Sequence, residues 1–215
     1  VRAERLGRLT GVHTYRHNPV RRWNHNLHYH RIVLAAIPPG AQRALDVGCG
    51  EACLAQELSA RIPHVVALDR DAASIEGAQQ RAETTPIEFV EADFLEHEFP
   101  AGSFDLVASV AALHHLPMQP ALVRMAELLR PGGVLAVVGL ARSQRRPSDL
   151  VAETAGAILH QVYRRTRHYV EQTAPVVWPP PVTYRQAREI AEQTLPGVRY
   201  RRHALWRYSL VWTKP

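Results

Sequence analysis

Apolar residues in this 215-residue chain gather in short runs separated by stretches of helical periodicity. RALDVGC (residues 43–49) is followed by Leu54, Leu58 and Ile62 at helical spacing, and HVVALD (64–69) by the polar, helix-forming AASIEGAQQRAE; IEFVEAD (87–93) is the third run. FDLVASV (104–110) is followed, past a proline, by PALVRMAELLR, where Leu122, Met125 and Leu128 or Leu129 recur every three or four residues. RPGG (130–133) then breaks the helix, and a fifth run, VLAVVGL, begins. Near-continuous apolar strands alternating with helices predict a parallel sheet buried on both faces, an α/β doubly wound (Rossmann-like) domain.

The alternation stops after the fifth strand. Residues 141–182 hold an arginine-rich helical stretch, DLVAETAGAILHQVYRRTRHYVEQ, and a proline-rich turn, VVWPPPVTY. They are too long for a plain connection and read as a helical cap over the sheet edge, or as a surface insertion. TYRQAREIAEQTL resumes a helix with Thr183 as its N-cap. GVRYRRHAL and WRYSLVWTK close the chain as a strand pair, the second with Trp206, Tyr208, Leu210 and Trp212 on one face. Upstream, WNHNLHYHRIVL opens a helix over 23–37. The chain thus reads as one domain: that N-terminal helix, a core over 43–140, the cap over 141–182, and a closing helix and strand pair over 183–215. Its sheet is seven-stranded and mostly parallel, with helices on both faces.

The length suits one packed domain and is short for two. No apolar run approaches the roughly 18 to 20 residues that cross a bilayer, and VRAERLGRLT lacks the apolar stretch of a signal peptide, so a soluble, cytoplasmic protein is expected. Cys49 and Cys53, the only cysteines, make neither a disulfide framework nor a zinc ribbon and read as free thiols. Charge is uneven: residues 1–139 carry 13 arginines against 15 acids, net −2, and residues 140–215 carry 13 basic residues against 5 acids, net +8. A positive last third suits an anionic small molecule, a carrier-bound substrate or nucleic acid.

Ligands of open α/β sheets bind beyond the carboxyl ends of the strands, here at LDVGCGEA. A dinucleotide fingerprint would need a glycine where Cys53 stands. Instead Asp46 enters the turn, Gly48 and Gly50 form a pair, and Asp69 ends the second strand. The pattern continues in order: Asp93 and Phe94 end the third strand, FDLVASVAALHHL carries the fourth strand and its loop, and LLRPGGVLAVV gives helix, turn and fifth strand. Over residues 43–140 the chain resembles the class I S-adenosylmethionine-dependent methyltransferases of small-molecule type, with Ala52 where the family pattern has its third glycine. Physically, the glycines let backbone approach a ligand where a Cβ would collide, and one carboxylate can accept from both hydroxyls of a vicinal diol.

The resemblance implies S-adenosyl-L-methionine as cofactor and S-adenosyl-L-homocysteine as product, with no metal. It implies Asp69 on the ribose hydroxyls, Asp93 and Phe94 at the adenine, and Asp46 near the cationic end, with Cys49, Glu51, Arg70, Ser109 and Val110 completing the cofactor positions. Transfer is an in-line displacement, and holding the reactants at attack distance contributes up to roughly 7 to 11 kcal/mol. An oxygen or carbon acid must also lose a proton. His114 and His115, in the loop after the fourth strand, are the candidate catalytic bases, or else shape that loop and contact cofactor.

Several subclasses of the family lack their residues here. Exocyclic-amine enzymes carry an Asn or Asp, Pro, Pro, aromatic segment where this chain has SVAALHH. Ribose 2′-O enzymes use a Lys, Asp, Lys, Glu set, and Lys214 is the only lysine. Cytosine C5 enzymes need a cysteine after the fourth strand, and the metal-dependent catechol type needs carboxylates where Ser109 and Gly139 stand. What remains is transfer to an O, N or C atom of a small organic acceptor, natural-product or quinone-like, with nucleic acid disfavoured as partner. The alternatives are an RNA or protein methyltransferase, suggested by the basic last third, and a member that keeps the cofactor without methylating. In the cap, Tyr163, His168, Tyr169 and Trp178 can face an aromatic or apolar acceptor or form the cap's own core; Arg164, Arg165 and Arg167 pair an acidic acceptor or solvate a helix.

In the N-terminal helix, His25 lies above Tyr29 and Asn26 above His30. A metal site would want an i, i+4 histidine pair and a third ligand, which His25, His28 and His30 do not supply. The resemblance lays this helix across the cofactor pocket, so it reads as a lid, with one of these polar faces closing over the methionine end of the cofactor or over the acceptor and His25, Tyr29 and His30 as the candidate contacts.

Overall fold

The computed structural model describes residues 22–82, 85–144, 147–170 and 177–215. Residues 1–21, which include the segment read for a signal peptide, and residues 171–176 of the anticipated cap lie outside the described residues. In chain order the elements are β1 (Arg22–Trp23), α1 (His25–Ala35), β2 (Arg43–Val47), α2 (Cys53–Ser59), β3 (His64–Asp69), α3 (Ala72–Arg81), β4 (Ile87–Glu91) and β5 (Phe104–Val110). A 3₁₀ turn over Leu113–His115 follows, then α4 (Met118–Leu128), β6 (Leu129–Gly139), α5 (Pro147–Thr166), β7 (His168–Tyr169), α6 (Tyr184–Thr194), β8 (Arg199–Arg202) and β9 (Tyr208–Thr213).

The main sheet has seven strands in the order β4-β3-β2-β5-β6-β9-β8. β2 to β6 are the five strands expected from the apolar runs and pair in parallel; β9 runs antiparallel between β6 and β8. Strand order reverses between β2 and β5, which opens the crevice where an open sheet takes its ligand. Both faces are apolar, for different partners. Leu45, Val47, Leu68, Val107, Leu135 and Val137 pack with residues of α4 and α6. Ala44, Ala67, Ala108 and Ala136 face the side of α1 and α2, where their small side chains admit the helices closely.

Local signals fix the ends. Asn24 caps α1 by accepting from the N–H groups of Asn26 and Leu27, and Thr183 forms a capping box with Gln186 at α6, as its sequence predicts. RPGG, expected as a break before the strand, lies inside β6: Leu129 already pairs with Phe104, the register shifts before Leu106, and Gly132, at φ +78°, donates to the Lys214 carbonyl. The cap helix ends earlier than its sequence suggested, at Thr166, and β7 then pairs in parallel with β1, an unexpected two-stranded clasp between the cap and the entry to α1. No helix among the described residues is long and apolar enough to cross a membrane.

Candidate active site

After β2 the chain turns through residues 48–52 before α2. Gly48 and Cys49 donate backbone N–H to the Leu68 carbonyl at 2.8 and 3.0 Å, which ties the turn to the end of β3. The two glycines serve different ends. A Cβ on Gly48, at φ +71°, would lie 2.2 Å from Ala112 Cβ, so this glycine lets the loop after β5 close on the turn. A Cβ on Gly50, at φ +50°, would meet nothing within 4 Å, and Gly50 lies on the pocket wall. Ala52 adopts the left-handed conformation at φ 54°, which a glycine would take without strain.

Acidic side chains line the turn. Asp69 accepts the Gly50 N–H at 2.9 Å on one oxygen and the Asp71 N–H at 3.0 Å on the other. A carboxylate has about four acceptor sites, so capacity for a diol remains. Asp93 accepts the Leu95 N–H at 2.8 Å. Asp46 differs: it is 2% exposed and on the pocket wall, and its Oδ2 has no hydrogen-bond partner among the described residues. Burial, and then the negative charge of Asp69, push its carboxyl up to about 7, against the Ala55 backbone N–H. A positive charge at this wall would relieve both. These residues fit S-adenosylmethionine: a cradle that a Cβ at Gly50 would fill, an orphaned buried carboxyl for the cationic end, and a diol acceptor.

One pocket brings together Asp46, Gly48, Cys49, Gly50, Glu51, Asp69, Arg70, Asp93, Phe94, Val110, His115 and His30. Ser109, His114, His25 and Tyr29, also expected at the site, are not on its wall. Ser109 is fully buried, its Oγ donating to the Val47 carbonyl at 2.9 Å and tying β5 to β2. His114 is buried beside His115, ring centroids 4.0 Å apart, with Nδ1 unpartnered among the described residues. Burial, then the charges of His115 and Arg207, depress it to about 4. Of this pair His115 reaches the pocket; burial and Arg70 lower its pKa while Asp69 opposes them, so its imidazole is neutral at pH 7 and can accept a proton. The Cys49 thiol is pushed up by burial and by Asp46 and Asp69, so it is no nucleophile at neutral pH.

The N-terminal helix splits by face. Asn26 and His30, with Asn24 and Leu27, line the pocket, and His30 Nδ1 lies 2.8 Å from Glu57 Oε1 of α2, which fixes the ring. His25 and Tyr29 turn away. His25 Nε2 lies 2.9 Å from His160 Nδ1 of α5, with its ring 5.6 Å from that of Trp206, and the Tyr29 hydroxyl donates to the Ala204 carbonyl at 2.5 Å. The helix thus turns Asn26, Leu27 and His30 to the pocket and His25 and Tyr29 toward α5 and the turn before β9. The cap aromatics also stay off its wall. Tyr163 packs 5.0 Å from Trp23 under the Arg167 guanidinium, Tyr169 packs 6.1 Å from Trp23, and Trp178 is exposed.

Asn24, Leu27, Asp71, Ser74, Ala111, Ala112 and Val170, all on the wall, were not anticipated from the sequence. Asp71 and Ser74 carried a signal: Asp71 caps α3 by accepting from the Ser74 N–H and Oγ–H, a pattern visible as Asp-x-x-Ser. Ala111, held at φ 57°, and Val170 carried none.

Residues 45–137 match the methyltransferase domain family. An uncharacterized methyltransferase of Mycobacterium tuberculosis is 39% identical over 196 residues, covering 90% of this chain and 98% of that protein. The trans-aconitate 2-methyltransferase of Deinococcus radiodurans is 39% identical over 129 residues, 58% of this chain and 48% of that protein. Among solved structures, the fold is similar to that of a SAM-dependent methyltransferase from Aquifex aeolicus, with a TM-score of 0.60 at 14% identity, covering 86% of this chain and 89% of that one. S-adenosylmethionine is accordingly the cofactor, and the chain belongs to the class I S-adenosylmethionine-dependent methyltransferases.

Proposed function

We propose that this methyltransferase acts on a small organic acceptor, delivering the methyl group to an O, N or C atom in an in-line displacement. The observation that carries the reading is the closure of the pocket: α1 and its N-cap contribute Asn24, Asn26 and Leu27 to the same wall as the glycine loop, and Val170 joins them. A pocket walled on that side by a helix suits a compact molecule better than a polymer strand. A relative whose name gives trans-aconitate as its acceptor supports the same reading.

The cofactor supplies an electrophilic methyl group on a sulfonium sulfur. Asp46 would offer a buried negative charge toward that cation, Asp69 would accept from the ribose hydroxyls, and Asp93 and Phe94 would border the adenine. His115, neutral at pH 7, takes the acceptor's proton where the acceptor has one to lose. Incubating the protein with methyl-labelled cofactor and a cell extract, then identifying the labelled product by mass, tests this. A labelled small molecule is expected. Label in RNA or protein would overturn the reading, and intact cofactor binding without any demethylated product would favour a non-methylating member of the fold.

A further inference from the structure

The pocket is electrically lopsided. The ends of β2 and β3 and the loops after β2, β3 and β4 bring Asp46, Glu51, Asp69, Asp71 and Asp93 to its wall, with Arg70 among them. The part of the wall supplied by α1 and its cap, Asn24, Asn26, Leu27 and His30, holds no carboxylate. Behind that part sits Arg207, 6% exposed, donating from Nη2 to Asn26 Oδ1 at 2.7 Å. Nη1 reaches the carbonyls of Leu205 and Trp206 at 3.3 and 3.4 Å, and Nε has no partner among the described residues. Among the described residues no carboxylate forms an ion pair with this guanidinium.

A buried charge without a counter-charge is costly, and here the backbone is strained to keep it. Leu205 and Trp206 both take left-handed conformations, at φ 55° and 57°, in the turn whose carbonyls face the guanidinium. Burial lowers Arg207 to about 10, with only Tyr184 and Tyr29 opposing, so it stays cationic at pH 7. Its field reaches the loop after β5, where it helps to depress His114.

We infer that Arg207 is the counter-charge for an acceptor carrying a carboxylate, held at the Asn26 end of the pocket; the inference rests on the small-molecule reading above. One buried cation matches one negative charge. A carboxylate neutralises it, whereas a phosphate monoester, at about −1.5 to −2, leaves excess anion in the same buried volume. Arg207 thereby sets specificity through the wall residue it holds, while the acids from β2, β3 and their following loops serve the cationic cofactor.

The test compares wild type with Arg207→Met, which keeps the stem's volume and removes the charge, and with Arg207→Lys. In the labelled-extract experiment the wild-type product is expected to carry a free carboxylate or its methyl ester. R207M is expected to bind cofactor normally and to melt no lower than wild type, yet to form that product at least about 100-fold more slowly, with R207K between the two. A labelled small molecule lacking both groups, or R207M turning over as well as wild type, would overturn the inference. Should R207M fail to fold, binding of the identified acid and of its primary amide to wild type with S-adenosylhomocysteine decides instead: the acid is expected to bind at least about tenfold tighter, and equal binding would refute it. Label in macromolecules contradicts the small-molecule reading instead, so the two failures are distinguishable.

Discussion

Asp46→Asn is expected to stabilise the ligand-free protein and at the same time to loosen its hold on the cofactor. Asp46 lies on β2 at 2% exposure with one oxygen unpartnered among the described residues, and its carboxyl moves from 3.8 to about 7, chiefly through burial and then through Asp69. The folded state therefore binds the proton more tightly than the unfolded chain does. As regards this group, stability is greatest below pH 3.8 and declines as pH rises toward 7. At about 1.4 kcal/mol per tenfold, the group costs the fold about 2 kcal/mol at pH 5 and about 4 kcal/mol at pH 8. Asparagine keeps the shape and never ionises. In urea denaturation without ligand, the advantage of D46N over wild type should widen by about 2 kcal/mol between pH 5 and pH 8. Calorimetry should show S-adenosylmethionine binding D46N at least about tenfold more weakly than wild type, with a smaller loss for S-adenosylhomocysteine, which lacks the sulfonium charge. A stability difference that ignores pH, or equal losses for the two ligands, would refute this account of Asp46.

Three further substitutions probe the loop and the helix. Gly48→Ala drives a Cβ into Ala112 and should destabilise the fold by about 2 kcal/mol or more in denaturation, whereas Gly50→Ala should cost about 1 kcal/mol and show itself as weaker cofactor binding. Ala52→Gly relieves a left-handed alanine at φ 54° and should raise stability by about 1 kcal/mol without changing cofactor affinity. On α1, alanine at Asn26 or His30 should alter the cofactor Kd or turnover, and alanine at His25 should leave both within about twofold while lowering Tm, because His25 contacts α5 and Trp206 rather than the pocket.

The parts of the fold legible in the sequence are those where local pattern and environment agree. Five apolar runs became five parallel strands because both faces of the sheet are covered, so no polar alternation was needed to mark them. Asp46, Asp69, Asp93 and the glycine pair stand at strand ends, and strand ends are what periodicity locates. Position around a helix was harder. The spacing of His25, Asn26, Tyr29 and His30 gave two faces correctly but not which one met the pocket, since both are polar and the choice depends on Trp206 and His160, 181 and 135 residues away from His25. Arg207 was hidden for the same reason. In the sequence it is one of many arginines in a basic last third, and only the tertiary contact with Asn26 separates it from those that solvate the surface.

Each end of the pocket thus leaves one buried ionisable group without an ion-pair partner among the described residues. Asp46 is pushed up to about 7 and Arg207 down to about 10, both toward their neutral forms, because burial penalises charge of either sign. Among the described residues neither forms an ion pair: Asp46 feels chiefly the negative charge of Asp69, and Arg207 faces the Asn26 amide, two carbonyls and tyrosines. A cationic cofactor at one end and an anionic acceptor at the other would lower the cost of both at once, so the two ligands should favour the same charged state of the pocket. Were the sulfonium its counter-charge, Asp46 would lose it once the methyl group had left the sulfur. The ion that the ligand-free protein holds at a cost would then be unpaired again, which would favour departure of the demethylated cofactor over its retention.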